Sequence, residues 1–317
     1  MIRLSIIIPF YNVEKYIAQC LESVYNQDLP EDEYEVICVN DASPDRSRDI
    51  VQEYQKVHSN LILIEHEYNK KLGAARNTGR AIARGKYIWN VDSDDYIEKN
   101  CLSSILSACE KNDLDVLMFN LAIDIDNSIK IADFPYVKPH VTQDGLMYLN
   151  QNIPYLGHFC AVWRFIYSRN FLERSFIVSP EINMGEDVPF AFKALLLAKK
   201  VLFTNRLCYY NRNNPTSLTA QSALKPTVLY EKCFLAARLV CEIVQYVPKN
   251  NDELLIGFDN LIKNIIYVYP RYLVRMSKFD RKHFSHICRQ NVFHDFCLFR
   301  IMNKQYKFGY IKCLLNF

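Results

Sequence analysis

Four short, uninterrupted apolar runs, Ser5–Pro9, Tyr34–Val39, Leu61–Ile64 and Lys86–Val91, dominate the first part of the chain. Runs of this kind, apolar at successive positions, mark strands buried on both faces. Between them the apolar residues recur at helical spacing: Val13, Ile17, Leu21 and Val24, then Ile50, Val51, Tyr54 and Val57, then Leu72, Ala75, Ala81 and Ile82. Strand and helix thus alternate every 25 to 30 residues or so, which predicts an α/β domain, a parallel sheet covered by helices. A fifth strand is expected over Leu114–Phe119. Beyond about residue 125 the pattern is broken by Pro135, Pro139 and Pro154, and a helix from Glu186 to about Lys199 and a short strand at Val201–Phe203 are expected; from about Lys225 the chain reads as helical.

Composition narrows the class. Of 317 residues half are apolar, 23% are charged and twelve are proline, a globular composition that excludes disorder, collagen and coiled coil. The longest apolar runs fall short of the ~18 residues of a spanning helix, and Met1 leads straight into a strand-like run, so the expected compartment is the cytoplasm. Eleven cysteines, an odd number without one Cys-x-x-Cys pair, point to buried reduced thiols, not to a disulfide framework or a zinc site. The net charge of +3 conceals a segregation: residues 261–317 hold eleven Lys/Arg against two acids, +9, and the remainder is −6. A basic tail of that kind meets an anionic surface or simply presents a solvated face.

Ligands of an open parallel sheet bind outside the carboxyl ends of its strands. Those ends run into Pro9-Phe-Tyr-Asn12, Asn40-Asp-Ala-Ser-Pro-Asp45, Glu65-His-Glu67 and Asp92-Ser-Asp-Asp95. Carboxylates gathered at one edge repel one another unless a cation or a ligand's donors offset the charge. Asp92 and Asp94, two apart in extended chain, share a side and suit Mg²⁺ or Mn²⁺ held against a diphosphate. Two further Asp-x-Asp pairs serve as controls: Asp113/Asp115 at the start of a strand, on the wrong edge, and Asp124/Asp126 in a segment expected to be irregular. Dinucleotide and P-loop glycine motifs do not occur. Gly73, Gly79 and Gly85 cluster around a helix start that either receives an anion or needs close packing. Gly185-Glu-Asp-Val-Pro189 begins another helix, where Asp187 serves either as a cap or as a rigidly held general base.

Taken in order, Ile6–Asn12, Val39–Asp45, Gly73-Ala-Ala-Arg-Asn-Thr-Gly79, Asp92–Asp95 and Gly185-Glu-Asp187 resemble the family 2 glycosyltransferases of bacterial capsule, exopolysaccharide and O-antigen synthesis. The resemblance implies a GT-A nucleotide-diphospho-sugar transferase fold at residues 1–222, with a nucleotide-sugar half (1–120) and an acceptor and base half (121–222); it leaves the remainder unmatched, and residues 223–317 are expected from pattern and charge to be a basic, aromatic-rich helical appendage. It implies donor binding by Pro9, Tyr11, Asp41, Lys71, Arg76, Asp92, Ser93 and Arg212, a divalent cation (Mn or Mg) on Asp94 and Asp92, and Asp187 as catalytic base. Ala42 departs from the glycine usual there. The expected partners are a nucleotide-sugar donor, chiefly a UDP-sugar, and a glycan or lipid-linked acceptor, with residues 261–317 at the inner face of the membrane and no nucleic acid. Two rivals are a non-catalytic scaffold of the same fold and a nucleic-acid binder using the tail.

Overall fold

The computed structural model describes residues 1–132, 138–152, 161–181 and 185–215, together with 217, 246–248, 250–254 and 257. Two compact units divide the chain, one formed by Met1–Asn152 with Phe159–Asn214 and the other by Ile153–His158 with Pro215–Phe317. The expected boundary at 222/223, the basic tail and all of the expected helical appendage except 246–248, 250–254 and 257 lie outside the described residues.

In the first unit the predicted alternation is present: β1 (Leu4–Phe10), α1 (Ile17–Tyr25), β2 (Tyr34–Asn40), α2 (Ser47–Val57), β3 (Leu61–Glu65), α3 (Leu72–Ile82) and β4 (Tyr87–Asn90). All residues of β1, β2 and β4 are buried, as uninterrupted apolar runs require. Helix α1 turns Ile17, Cys20, Leu21 and Val24 to the core, the stripe that its i, i+3, i+4, i+7 spacing dictates. The parallel register aligns Phe10 with Asn40, Asn40 with Glu65, and Ile7 with Asn90. Every strand of this set therefore ends at one edge, where residues 11–12, 41–45, 66–71 and 92–95 follow.

After β4 the chain departs from a simple parallel sheet. The order β3-β2-β1-β4-β8-β6-β9-β5 places β8 (Phe165–Ser168) between β4 and β6 (Val116–Ile125), antiparallel to both. Several elements were not expected from the sequence or are longer than expected. A two-residue β5 (Tyr96–Ile97) and α4 (Leu102–Asn112) follow the acidic turn; β6 continues into a hairpin with β7 (Ser128–Ile131). The strand expected at Val201–Phe203 is the start of the twelve-residue β9 (Val201–Arg212), which runs parallel to β6 with an irregularity between Met118 and Leu121. Its far end pairs with β5 and so returns to the acidic turn. Helices α5 (Gly145–Gln151), α6 (Arg169–Arg174) and α7 (Asp187–Leu197) complete the unit. The second control pair is also placed differently from expectation: Asp124 lies in β6, and only Asp126 is in a turn.

Candidate active site

At the common strand edge each carboxylate has a distinct set of partners. Asp41, the first residue beyond β2, is 4% exposed. Its Oδ1 accepts from the Lys70 amide at 2.7 Å and lies 2.7 Å from His66 Nδ1, and its Oδ2 accepts from the Lys71 amide at 2.8 Å. Ala42, in place of the usual glycine, has φ 59°. That left-handed conformation costs a Cβ-bearing residue roughly 1–2 kcal/mol. Asp45 accepts from the amides of Glu14 and Ser47 and from the Ser43 hydroxyl, and Ser43 accepts from the Asn12 amide, lacing the turn after β1 to the turn after β2. These bonds to Asp45 hold its carboxyl below the usual range, against the opposing effect of burial. Pro9 is buried at the end of β1, and Tyr11 stands 45% exposed just beyond it. Lys71 is exposed with φ 79°, the residue before α3.

Asp92 and Asp94 follow β4, with Ser93 buried between them. Asp94 Oδ2 accepts from Asn214 Nδ2 at 2.8 Å. Burial raises the Asp94 carboxyl above the ordinary range, Asp92 adds to this, and Asn214 and Arg212 oppose it. Asp95 is a different kind of acid. Only 1% exposed, it accepts from Tyr209 Oη at 2.7 Å, from the Arg212 amide at 2.8 Å and from Asn211 Nδ2 at 3.2 Å, and burial raises its carboxyl strongly. It is the anchor that fastens the end of β9 to the acidic turn. The Tyr209 ring in turn stacks on Trp163 at 4.5 Å, and the Tyr209 hydroxyl accepts from the Asp92 amide at 3.1 Å. Trp163 is thereby engaged within the protein. Arg212 donates to Gln19 Oε1 at 2.8 Å, and its guanidinium lies 5.1 Å from the Tyr16 ring and 5.2 Å from the Tyr96 ring.

Helix α3 joins these groups to α7. Arg76, 2% exposed, donates from Nη2 to Asp92 Oδ1 at 2.7 Å and from Nη1 to Glu186 Oε1 at 2.9 Å and to Asp187 Oδ1. The motif's other members also dock. A Cβ at Gly73 would stand 2.0 Å from the Pro180 carbonyl oxygen, so the glycine is required by close approach of the segment that leads to α7. Asn77 donates from Nδ2 to the Ser179 carbonyl at 2.8 Å and accepts from the Ser179 amide at 2.9 Å. Asp187 is the first residue of α7, and its side chain is 23% exposed against 5% for Glu186. Burial raises the Asp187 carboxyl, Glu186 and Asp92 push the same way, and Arg76 opposes them.

The control pairs are engaged elsewhere. Asp113 pairs with Lys200, while Asp115 accepts from Arg174 and from the amides of Lys199 and Lys200; Asp124 accepts from Tyr96 Oη and the Asn127 amide. Among the described residues no group of three or more His, Cys, Asp and Glu is arranged to hold a metal by itself. Asp95, Asn77, Asn214 and His66 were not singled out from the sequence. Asp95 and His66 stand inside the polar strand ends that were, but nothing in sequence separates a ligand-facing acid from a neighbour turned inward.

A mixed, largely parallel sheet with acids at its carboxyl edge and a second acidic helix start across from them defines a GT-A transferase fold. The chain belongs to glycosyl transferase family 2, which matches residues 5–176. It is 35% identical over 222 residues to the uncharacterized glycosyltransferase EpsJ of Bacillus subtilis (strain 168), covering 68% of this chain and 62% of EpsJ. It is 30% identical over 240 residues to the poly(ribitol-phosphate) β-N-acetylglucosaminyltransferase TarS of Staphylococcus aureus (strain MW2), 75% of this chain and 40% of TarS. The crystal structure of S. aureus TarS 1–349 with UDP superposes with a TM-score of 0.68 at 24% identity, covering 90% of this chain and 78% of that one. The mannosyltransferase PcManGT of Pyrobaculum calidifontis, with GDP-Man and Mn²⁺, gives 0.53 at 15% identity over 99% and 84%. The matched part spans less than two thirds of the length of these curated relatives.

Proposed function

We propose that the chain is an inverting glycosyltransferase that moves a sugar from a nucleotide-diphosphate donor, a UDP-sugar by preference, to a hydroxyl of a glycan or lipid-linked acceptor in cell-surface polysaccharide synthesis. The observation that carries this reading is the convergence on one buried guanidinium, Arg76, of a strand-end carboxylate, Asp92, with the helix-start acids Glu186 and Asp187. TarS, solved with UDP and with UDP-GlcNAc, supports the choice of donor.

In this reading Tyr11 and Pro9 form the wall for the base, Asp41 accepts its N–H, and Lys71 and Arg212 lie toward the diphosphate. Asp92, with Ser93 beside it, addresses the ribose and sugar. Asp187 accepts the proton of the acceptor hydroxyl as that oxygen attacks the anomeric carbon from the face opposite the leaving diphosphate, so configuration inverts in one displacement. Arg76 holds Asp187 in place and limits the rise that burial imposes on its carboxyl. A divalent ion fits the residues present: Asp94 and Asp92 are hard oxygen donors whose mutual repulsion is only partly offset, and Mg²⁺ or Mn²⁺ takes few protein ligands when diphosphate oxygens supply the others. Such an ion, when bound, neutralises charge on the departing diphosphate.

The test is transfer from a panel of nucleotide sugars with and without Mn²⁺. Asp94→Ala is expected to abolish turnover and the Mn²⁺-dependent part of UDP-sugar affinity together, while Asp113→Ala leaves both intact, because Asp113 serves Lys200 at the opposite edge. Near-normal metal-dependent turnover in Asp94→Ala would show that the wrong pair has been chosen.

The basic tail is given a role on sequence grounds. Residues 261–317 combine eleven Lys/Arg with twelve Tyr/Phe. Basic residues gain roughly 1 kcal/mol each close to an anionic membrane, and aromatic rings settle at its interface. No helix among the described residues is long and apolar enough to cross a membrane. The full chain is expected to co-sediment with anionic liposomes in a salt-sensitive manner, and truncation before Leu261 to reduce this; equal recovery of both in the supernatant would sink the idea.

A further inference from the structure

We propose that His66 is a positioning residue for recognition of the nucleobase, deciding which oxygen of Asp41 remains available to a ligand. The inference rests on the donor reading above and adds to it a residue that never touches the donor. Asp41 has about four acceptor sites as a carboxylate. Two protein groups lie on Oδ1, the Lys70 amide and His66 Nδ1, and one, the Lys71 amide, lies on Oδ2. One acceptor site is left, and it is on Oδ2. A base with a ring N–H between two carbonyls, as in uracil, matches a single free acceptor; cytosine, whose corresponding nitrogen is itself an acceptor, does not.

His66 does this because both ring nitrogens are committed. Its side chain is 4% exposed, Nδ1 lies 2.7 Å from Asp41 Oδ1, and Nε2 lies 2.9 Å from Thr78 Oγ1 on α3. A carboxylate only accepts, so the short contact to Asp41 puts a proton on Nδ1, and Nε2 pairs with the Thr78 hydroxyl, which both donates and accepts. Thr78 thereby fixes the ring and the ring fixes the carboxylate rotamer. Without the imidazole, Oδ1 loses a bond in a place too buried for water to replace it freely, and the carboxylate is free to rotate. The loss should fall on the discrimination between bases, since a site built to pair a donor rejects an analogue that lacks it.

The experiment measures UDP and CDP affinity of the full chain in Mn²⁺ by calorimetry, with kcat and KM for UDP-sugar hydrolysis alongside. Wild type is expected to favour UDP. His66→Leu is expected to weaken UDP tenfold or more with little effect on CDP, raising the donor KM and leaving kcat within about threefold. His66→Asn, whose amide can occupy the Nδ1 position, should recover most of the preference. Thr78→Val, which removes only the hydroxyl, should lower the UDP/CDP ratio severalfold at an unchanged melting temperature, and it decides the matter if His66→Leu does not fold. A UDP/CDP ratio unchanged in Thr78→Val and in any folded His66 variant, or equal loss for both nucleotides, overturns the proposal while leaving the donor reading intact. A wild type that binds neither nucleotide overturns both.

Discussion

Asp187→Asn is expected to lose ~10²–10⁴ in turnover with donor affinity little changed, the size of effect that removal of a general base produces. Asparagine is nearly isosteric with aspartate and can still accept from Arg76, so α7 should start where it does now. What it cannot do is take a proton at neutral pH. The pH profile gives a second reading. Burial raises the Asp187 carboxyl, and the base is active only when deprotonated, so wild-type kcat should fall on the acid side at a pH above the ordinary aspartate value of about 3.9. Measured between pH 5 and 9, that acid limb should disappear in the asparagine variant. Full turnover in Asp187→Asn would remove this residue from the mechanism, and Glu186, buried on the same guanidinium, would be the next to examine.

Arg76→Met should destabilise the protein by about 3 kcal/mol, because it leaves Glu186, Asp92 and Asp187 without their shared counter-charge. Removing one partner of a buried ion pair typically costs 3–5 kcal/mol. The lower end applies because Asp92 and Asp187 keep 23% of their side-chain surface in water. The loss should depend on pH in a stated direction. A carboxyl whose folded pKa is raised contributes stability that is present below its unfolded value and lost as pH rises through the folded one. Asp187 is already raised to about 8 with Arg76 opposing the rise, so without Arg76 it moves further up, and the gap between variant and wild type should widen as pH rises above about 8 in denaturant titrations. A gap below about 1 kcal/mol, or one that does not change with pH, would mean that Arg76 is not the counter-charge holding these acids together.

The first half of the fold was legible because its physics is local. Uninterrupted apolar runs such as Ile6–Ile8 have one use, burial on both faces, and the stripe Ile17, Leu21, Val24 has one orientation. The second half was not, because its elements are defined by pairings between distant residues. Strand β8 is four residues long and acquires its place from β4 and β6, which flank it. Strand β9 extends to Arg212 because Asp95, more than a hundred residues earlier, receives the Arg212 amide and the Tyr209 hydroxyl. The same limit applies at the site. The position of Asp92, Asp94 and Asp187 along the chain pointed to an acidic edge, whereas the division of labour between Asp94 and Asp95 depends on which side chain turns inward. The glycine at 73 was readable as either an anion site or a close crossing, and the Pro180 carbonyl, a hundred residues away, accounts for it by contact.

Three consecutive residues of α3 serve three different places: Arg76 reaches the acid that follows β4 and those at the start of α7, Asn77 clasps Ser179, and Thr78 reaches His66 and through it Asp41. Successive side chains of a helix are set about 100° apart, so these directions cannot be adjusted one at a time. The helix acts as a camshaft whose lobes are cut from a single rod. In the proposed reading its rotational phase couples the choice of base to the seat of the proton acceptor, although Asp41 follows β2 and Asp187 opens α7. Recombining this chain with a relative of other donor preference is therefore not a matter of exchanging the turns after β2 and β3. Such a graft would have to carry α3 and the segment 177–181 with it, two pieces far apart in the chain that must be inherited together.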